Sequence, residues 1–145
     1  MQGGQRVHGS CVSRDGEAVL VTGPPGSGKS DLVLRLLTRG FLLVADDQVD
    51  IQDGHTSAPP PLAGLLEVRG LGIMRLPHVH MAHLALVIRL VEGGGPRLPM
   101  PRQDPELGVP MIDLDGRMAS APERVMLALD CVLGRVEQVA GAFAA

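Results

Sequence analysis

The segment Ala18-Val19-Leu20-Val21-Thr22-Gly23-Pro24-Pro25-Gly26-Ser27-Gly28-Lys29-Ser30 carries the clearest structural signal in this chain. Its last eight residues have the spacing G-x-x-x-x-G-K-S, which is typical of a phosphate-binding P-loop. Glycines at these positions let backbone N–H groups close around a polyphosphate without a Cβ in the way. The apolar run before the loop predicts a strand, and residues 30–37 predict a helix whose positive dipole end adds to the field. The segment therefore predicts a strand–loop–helix unit that binds a nucleotide.

The predicted nucleotide site consists of a backbone cradle and two side chains with separate tasks. Lys29 is expected to reach the β- and γ-phosphates, and the Ser30 hydroxyl is expected to bind Mg²⁺. ATP and Mg²⁺ are therefore the predicted cofactors. A plain Gly/Pro turn between two elements is the alternative interpretation. The complete predicted set is Gly23, Pro24, Pro25, Gly26, Ser27, Gly28, Lys29 and Ser30.

Composition and charge limit the kinds of partner. The 145 residues carry a net charge of −3, which argues against a nucleic-acid surface. No apolar run approaches the roughly 20 residues that span a bilayer, so no membrane association is expected. The first residues contain no signal-peptide core. Cys11 and Cys131 lie far apart and imply neither a disulfide framework nor a zinc site, and a cytoplasmic location is expected.

The pattern of apolar runs and Gly/Pro breaks predicts one α/β domain over residues 1–145, with a central β-sheet and flanking helices. Because a strand, the P-loop helix and an all-apolar strand follow one another, the front of the chain is expected to form a βαβ unit. Strands are expected over residues 7–12, 18–22, 41–45, 48–52, 65–68, 73–76 and 84–91, with a hairpin through Asp53-Gly54.

Two helices are expected, and both have recognisable ends. The P-loop helix should run to Thr38, because Gly40 is a typical C-terminal stop. A second helix is expected from Ala121 to Gln138, with Ser120 and Glu123 forming a capping box at its start. Residues 139–145 are expected to form a disordered tail.

Two adjacent acids, Asp46 and Asp47, follow the apolar strand at the place where P-loop proteins hold a metal-binding carboxylate. Consecutive side chains in a strand point to opposite faces, so one carboxylate can face the phosphates while the other points elsewhere. The acid that faces the site could bind Mg²⁺ or accept the proton of an attacking hydroxyl. A simple strand-ending pair in a turn is the alternative.

Four stretches, in combination, point to one family. They are Val7-His8-Gly9, the P-loop, Arg39-Gly40-Phe41-Leu42-Leu43-Val44-Ala45-Asp46-Asp47-Gln48-Val49 and Leu65-Leu66-Glu67-Val68-Arg69-Gly70-Leu71-Gly72-Ile73. With them the chain resembles the catalytic core of the bacterial HPr kinase/phosphorylase family, whose members phosphorylate a serine on HPr, a phosphocarrier of the sugar phosphotransferase system. The resemblance extends from about Val7 to Leu133 and implies an HPr-kinase-like P-loop fold.

The resemblance implies a role for each matching residue. Asp47 matches the acid that accepts the seryl proton, His8 matches a histidine that tunes this acid, and Lys29 matches the phosphate-binding lysine. Glu67 matches a second Mg²⁺ ligand, so the expected metal ligands are Ser30, Asp46 and Glu67. Arg97 is the expected active-site arginine, and Arg102 is the alternative.

The resemblance also implies a function and an assembly. The chain is expected to be a short form of the family, without its usual N-terminal domain, that phosphorylates a serine on an HPr-type phosphocarrier and forms a homo-oligomer, either a trimer or a hexamer. The family's Arg/Pro/Gly-rich loop should follow Leu114, but the chain keeps only Gly116-Arg117 of it. Efficient reverse phosphorolysis is therefore not expected.

Two other functions are compatible with the P-loop. One is a small-metabolite kinase or a P-loop hydrolase, which the small size of the chain favours. The other is a catalytically weak nucleotide sensor that regulates a partner. Labelling with ATP separates them, because only an HPr-type kinase labels a protein serine.

Overall fold

The computed structural model describes residues 4–144, which form one eight-stranded mixed sheet, one two-stranded sheet and two α-helices. A short 3₁₀ turn covers Pro60–Leu62. In chain order the strands and helices are β1 (Gln5–His8), β2 (Ser10–Arg14), β3 (Glu17–Thr22), α1 (Lys29–Leu37), β4 (Leu42–Ala45), β5 (Gln48–Gln52), β6 (His55–Ser57), β7 (Leu65–Val68), β8 (Gly72–Arg75), β9 (Ala82–Leu90), β10 (Met111–Leu114) and α2 (Ala121–Val132).

The large sheet has the strand order β1-β5-β6-β9-β3-β2-β4, and β10 pairs in parallel with the second half of β9. Strand β3 runs parallel to β9, whereas β2 runs antiparallel to both of its neighbours, β3 and β4. Strands β3 and β4 are therefore parallel, as a βαβ unit requires, but β2 lies between them. The prediction of an α/β fold with a central sheet and flanking helices is confirmed.

Two hairpins keep this topology in place. Asp15-Gly16 joins β2 to β3, and Asp53-Gly54 joins β5 to β6. All four turn residues have positive φ, between 53° and 80°. This is the pattern of type I′ turns, whose twist matches that of the strands and for which Asp-Gly is favoured. The hairpin that was expected at Asp53-Gly54 is confirmed.

The sheet has an apolar core on each face. Helix α1 packs Leu32, Val33 and Leu36 against one face, together with the apolar side of α2 and Leu66 from β7. The other face forms a second cluster around Leu20, Val44 and Val87, which includes residues of β1 and β5 and of the segment before β10. Both clusters are almost entirely aliphatic, in agreement with the two Phe residues of the sequence.

The strand expected over residues 7–12 is broken at Gly9. The Gly9 N–H donates to the Asp47 carbonyl at 3.0 Å, and a Cβ at this position would lie only 2.8 Å from the Val21 carbonyl oxygen. The backbone therefore turns at the only residue type that fits there. Strand β1 pairs with β5, whereas β2 pairs with β3 and β4.

Helix α2 differs from the expectation at both ends. It ends at Val132 rather than Gln138, because Gly134 (φ 76°) takes the left-handed conformation that stops helices. The expected capping box is absent from the described structure, since Ser120 makes no side-chain cap and Glu123 pairs with Arg39 at 2.8 Å.

Two segments near the C-terminus lie outside the strands and helices that the sequence predicts. Residues 111–114 form β10, which parallel pairing with β9 stabilises. A disordered tail was expected over residues 139–145. Among the described residues of this segment, Ala142 is buried and Phe143 packs against the apolar cluster on the α1 side of the sheet. Gln138 accepts a hydrogen bond from the Phe143 N–H at 2.6 Å. Ala145 lies outside the described residues.

Asp113 on β10 joins two arginines at the end of the sheet that leads to the P-loop. Its carboxylate accepts two hydrogen bonds of 2.9 Å from Arg89 and one of 2.6 Å from Arg102, and its side chain is only 14% exposed. The hydrogen bond from Arg89, with support from Arg102, holds the pKa of Asp113 below its usual value in spite of the opposing effect of burial.

Replacing Asp113 with Asn is expected to lower the free energy of unfolding by about 1–2 kcal/mol at pH 7, because the three charge-assisted hydrogen bonds from Arg89 and Arg102 lose their anionic acceptor. Because the pKa of Asp113 is lower in the folded state than in the unfolded state, its ionised carboxylate stabilises the fold at pH values above the unfolded-state pKa of about 3.9. This contribution is lost as the pH falls through the folded-state pKa. Urea unfolding at pH 7 and at about pH 2.5 measures the change. Asp15→Asn, which alters an exposed pair with Arg135, is the matched control. A difference of the same size at both pH values would contradict this account.

Neither helix of the described structure has the length and apolarity that crossing a membrane requires.

Candidate active site

The P-loop links the end of β3 to the start of α1 and forms an open backbone cradle. Gly28, directly before the helix, has φ 97°, and Gly26 has φ 79°, values that favour glycine. Apart from the glycine itself and its two chain neighbours, no atom of the described residues lies within 4 Å of the position that a Cβ would take at either glycine. The first turn of α1 leaves N–H groups without intrahelical acceptors at this point. The loop therefore presents unpaired donors and a positive helix end to a single small volume.

Two polar groups of the loop lack the partners that a polyphosphate would supply. Lys29 Nζ donates to the Gly23 carbonyl at 2.7 Å and to the Pro24 carbonyl at 3.1 Å, so its charge is held by neutral acceptors. The Ser27 hydroxyl is buried and has no hydrogen-bond partner among the described residues. A buried hydroxyl without a partner is costly, and an anion in the loop would satisfy it. The loop residues thus fit a nucleotide.

Asp46 is directed at the Ser30 side of the loop. Its Oδ1 accepts hydrogen bonds from the Ser30 hydroxyl at 3.0 Å and from the Ser10 hydroxyl at 2.7 Å. Ser10 is almost fully buried at the start of β2, and sequence reasoning missed it. The one sequence feature that could have identified Ser10 is its position as a polar residue directly after His8-Gly9, at the start of an apolar strand. The hydroxyl and carboxylate oxygens of Ser30 and Asp46 form a donor set that suits Mg²⁺.

Asp47 faces a different partner. Its Oδ1 lies 2.9 Å from Nε2 of His8, and both side chains are more than half exposed. The backbone of Asp47 has φ 72°, and the Gln48 N–H donates to the Asp46 carbonyl across it at 2.9 Å. This is a tight three-residue turn with a non-glycine residue at positive φ, a strained backbone conformation. The turn directs the two neighbouring carboxylates to separate partners.

The structure does not bring all of the predicted residues together. Glu67 is exposed on β7, where its neighbour Leu66 faces the core. Arg97 is exposed in the loop after β9, and Arg102 is occupied by Asp113. Within residues 4–144, neither Glu67 nor Arg97 takes part in a hydrogen bond or an ion pair, and no three His, Cys, Asp or Glu side chains cluster as a metal site.

A different arginine contacts the P-loop. Arg117 Nη2 donates to the Gly26 carbonyl at 2.8 Å, and the same side chain helps to line a cleft beside the loop. Sequence reasoning placed Arg117 only in the shortened loop after β10, in Gly116-Arg117. Its position on the P-loop depends on the pairing of β10 with β9, which the sequence pattern did not reveal. The cleft is lined by Pro24, Pro25, Ser27, Leu90, Glu92 and Arg117, among others.

Comparison with known proteins agrees with this geometry. Residues 1–90 match the family model described as "HPr Serine kinase C-terminal domain". The HPr kinase/phosphorylase of Clostridium tetani is 42% identical over 90 residues, which cover 59% of this chain and 30% of that protein. The HPr kinase/phosphorylase of Burkholderia lata is 34% identical over 151 residues, which cover 93% of this chain and 47% of that protein.

A solved structure extends the match to the fold. The Hpr(Ser) kinase/phosphatase from Coxiella burnetii aligns with a TM-score of 0.76 and 28% sequence identity, and the alignment covers 90% of this chain and 98% of that one. The chain spans less than half the length of the two curated relatives. The family match includes the P-loop, both aspartates and Glu67. The chain belongs to the HPr serine kinase C-terminal domain family.

Proposed function

We propose that this chain is an ATP- and Mg²⁺-dependent kinase domain that phosphorylates a serine of an HPr-type phosphocarrier protein. The observation that carries the proposal is the separation of two adjacent acids beside a P-loop. Asp46 contacts the Ser30 hydroxyl, whereas Asp47 contacts His8 and stays exposed. One carboxylate is thereby available for a metal ion and the other for an incoming hydroxyl.

The residues of the chain divide the work of phosphoryl transfer. The P-loop amides and Lys29 would bind the triphosphate, with Lys29 leaving the Gly23 and Pro24 carbonyls for phosphate oxygens. Ser30 and Asp46 would hold Mg²⁺, which neutralises charge on the β- and γ-phosphates. Since Mg²⁺ usually keeps several waters and uses one or two carboxylates, this small donor set is adequate. Glu67 is a further proposed ligand, from the hairpin β7–β8.

Asp47 is the proposed general base. It would accept the proton of the attacking seryl hydroxyl while the serine oxygen forms a bond to the γ-phosphorus and the bond to the β-phosphate oxygen breaks. The products are phosphoserine and ADP, and the proton remains on Asp47. His8, at 2.9 Å, would orient this carboxylate. Because Asp47 is exposed, a protein substrate can reach it without a rearrangement of the core.

We further propose that the domain works in the cytoplasm as a homo-oligomer, either a trimer or a hexamer, as its family membership suggests. The two arginines named from the sequence, Arg97 and Arg102, remain candidates for an active-site cation through movement of the exposed loop after β9. Efficient phosphorolysis of the phosphoprotein is not proposed, because the segment after β10 is short.

A direct assay tests the function. Purified HPr-type protein, ATP and Mg²⁺ are incubated with the chain, and the labelled residue is mapped by mass spectrometry. Phosphorylation of a serine, dependent on Mg²⁺, is the expected result. In a second reaction, the phosphorylated carrier and inorganic phosphate should release little pyrophosphate. Transfer to a small molecule alone would instead support a metabolite kinase, and tight ATP binding without any turnover would support a nucleotide sensor.

A further inference from the structure

Arg117 is the arginine that the described structure places on the P-loop. Its guanidinium donates to the carbonyl of Gly26 at 2.8 Å, from an exposed position on the turn after β10. The loop carbonyls thus hold two cations, Arg117 on Gly26 and Lys29 on Gly23 and Pro24. A cation that donates to a neutral carbonyl makes a weaker hydrogen bond than one that donates to a phosphate oxygen. Both cations are therefore available to an anion that enters the loop.

The turn that carries Arg117 is fixed from two sides. The Asp115 carboxylate accepts the backbone N–H of Arg117 at 3.0 Å and that of Gly93 at 3.1 Å, which ties the turn to the end of β9. These two backbone hydrogen bonds lower the pKa of Asp115, so the carboxylate is ionised at neutral pH.

Arg35 of α1 fixes the other side. It donates to the Gly116 carbonyl and, at 3.1 Å, to the Met118 carbonyl. The turn is thus attached to the same helix that begins in the P-loop. Because the turn that carries Arg117 is already ordered, its side chain can contact the loop with little further loss of backbone conformational entropy. This favours a binding role for Arg117 over a chance surface contact.

We propose that Arg117 is a nucleotide-binding residue that exchanges the Gly26 carbonyl for a phosphate oxygen of the bound nucleotide. This inference rests on the proposed function, because it requires that the loop binds a nucleoside triphosphate. It assigns to Arg117 a contact that the sequence led us to expect of Arg97 or Arg102. Arg102 is already engaged by Asp113, and the Arg97 side chain makes no hydrogen bond or ion pair among the described residues.

Three substitutions of Arg117 separate phosphate binding from a purely structural contact. Arg117→Ala removes the donor, Arg117→Lys keeps a cation, and Arg117→Gln keeps a donor for the Gly26 carbonyl without the charge. Arg124→Ala is the matched control, because Arg124 is an exposed arginine on α2 whose Nε donates to Ser120. The measurements are calorimetric titrations with Mg²⁺–ATP and with AMP, and thermal unfolding without nucleotide.

We expect Arg117→Ala and Arg117→Gln to weaken ATP binding about tenfold or more, Arg117→Lys to recover part of the loss, and Arg124→Ala to bind as the parent does. AMP binding should change less than ATP binding, since fewer phosphate oxygens are present. The salt dependence of ATP affinity should be shallower in Arg117→Gln than in the parent.

Two outcomes would overturn the proposal. One is ATP affinity in Arg117→Ala within twofold of the parent. The other is full recovery by Gln with a lowered melting temperature in Ala, which would assign Arg117 to the support of the loop alone. If the parent protein itself binds no ATP, the proposed function fails and this inference fails with it. If the parent binds ATP and Arg117→Ala binds it equally well, only this inference fails and the proposed function stands.

Discussion

Asp47→Asn is expected to reduce seryl transfer by about 10²–10⁴-fold while ATP affinity stays close to that of the parent. Asparagine keeps the size of the side chain and accepts the left-handed conformation at φ 72°, so the turn should persist. It cannot accept the seryl proton. Single-turnover transfer from labelled ATP to HPr-type protein measures the chemical step, and calorimetry measures binding.

His8→Gln provides a matched control for Asp47→Asn. It removes the imidazole at 2.9 Å but leaves the carboxylate, so it should lower transfer by a smaller factor. Full transfer activity in Asp47→Asn would remove Asp47 as the base. Loss of ATP binding in the same variant would show that Asp47 acts in the nucleotide site instead.

Asp46→Asn is expected to have the other large effect, a loss of more than about 10²-fold in Mg²⁺-dependent transfer. A metal ion held by Asp46 would contribute several kcal/mol of charge stabilisation in the transition state, and each 1.36 kcal/mol is a factor of ten. The variant keeps the hydrogen-bonding shape toward Ser10 and Ser30 but lacks the charge. Titration of transfer rate against Mg²⁺ concentration should show a much higher metal requirement.

Glu67→Gln is the comparison for Asp46→Asn. Glu67 is exposed on β7, and no hydrogen bond or ion pair within residues 4–144 holds it, so we expect a smaller change in the Mg²⁺ requirement. An equal change would mean that the hairpin β7–β8 moves toward the P-loop when the site is loaded. An unchanged Mg²⁺ requirement in Asp46→Asn would exclude Asp46 as a metal ligand.

Local sequence signals predicted several elements well. The strand at residues 18–22, the P-loop helix and the hairpin through Asp53-Gly54 all depend on residues that are close in the chain. Predictions were less accurate where distant contacts compete with local pattern. Glu123 suggested a capping box, but Arg39 of another segment takes its carboxylate. Strand β10 has only four residues, and its parallel pairing with the second half of β9 stabilises it.

The contacts of the proposed catalytic side chains show the same difference between local and distant information. The sequence contained Asp46, Asp47, Lys29 and Ser30 in a recognisable order, and alternation predicted that the two acids separate. It could not identify Ser10 as a partner of Asp46, because that contact requires β2 to lie between β3 and β4.

By itself, the order of residues determined the open backbone loop between β3 and α1, because glycine spacing and a following helix are local properties of the backbone. It also determined which acids and hydroxyls were available to the chemistry. Only the tertiary structure decided which arginine meets the loop. Arg117 reaches Gly26 across 91 residues of chain, through the parallel addition of β10 and the anchoring of its turn by Asp115 and Arg35. Contacts of that separation follow from strand order and packing, which no local pattern encodes.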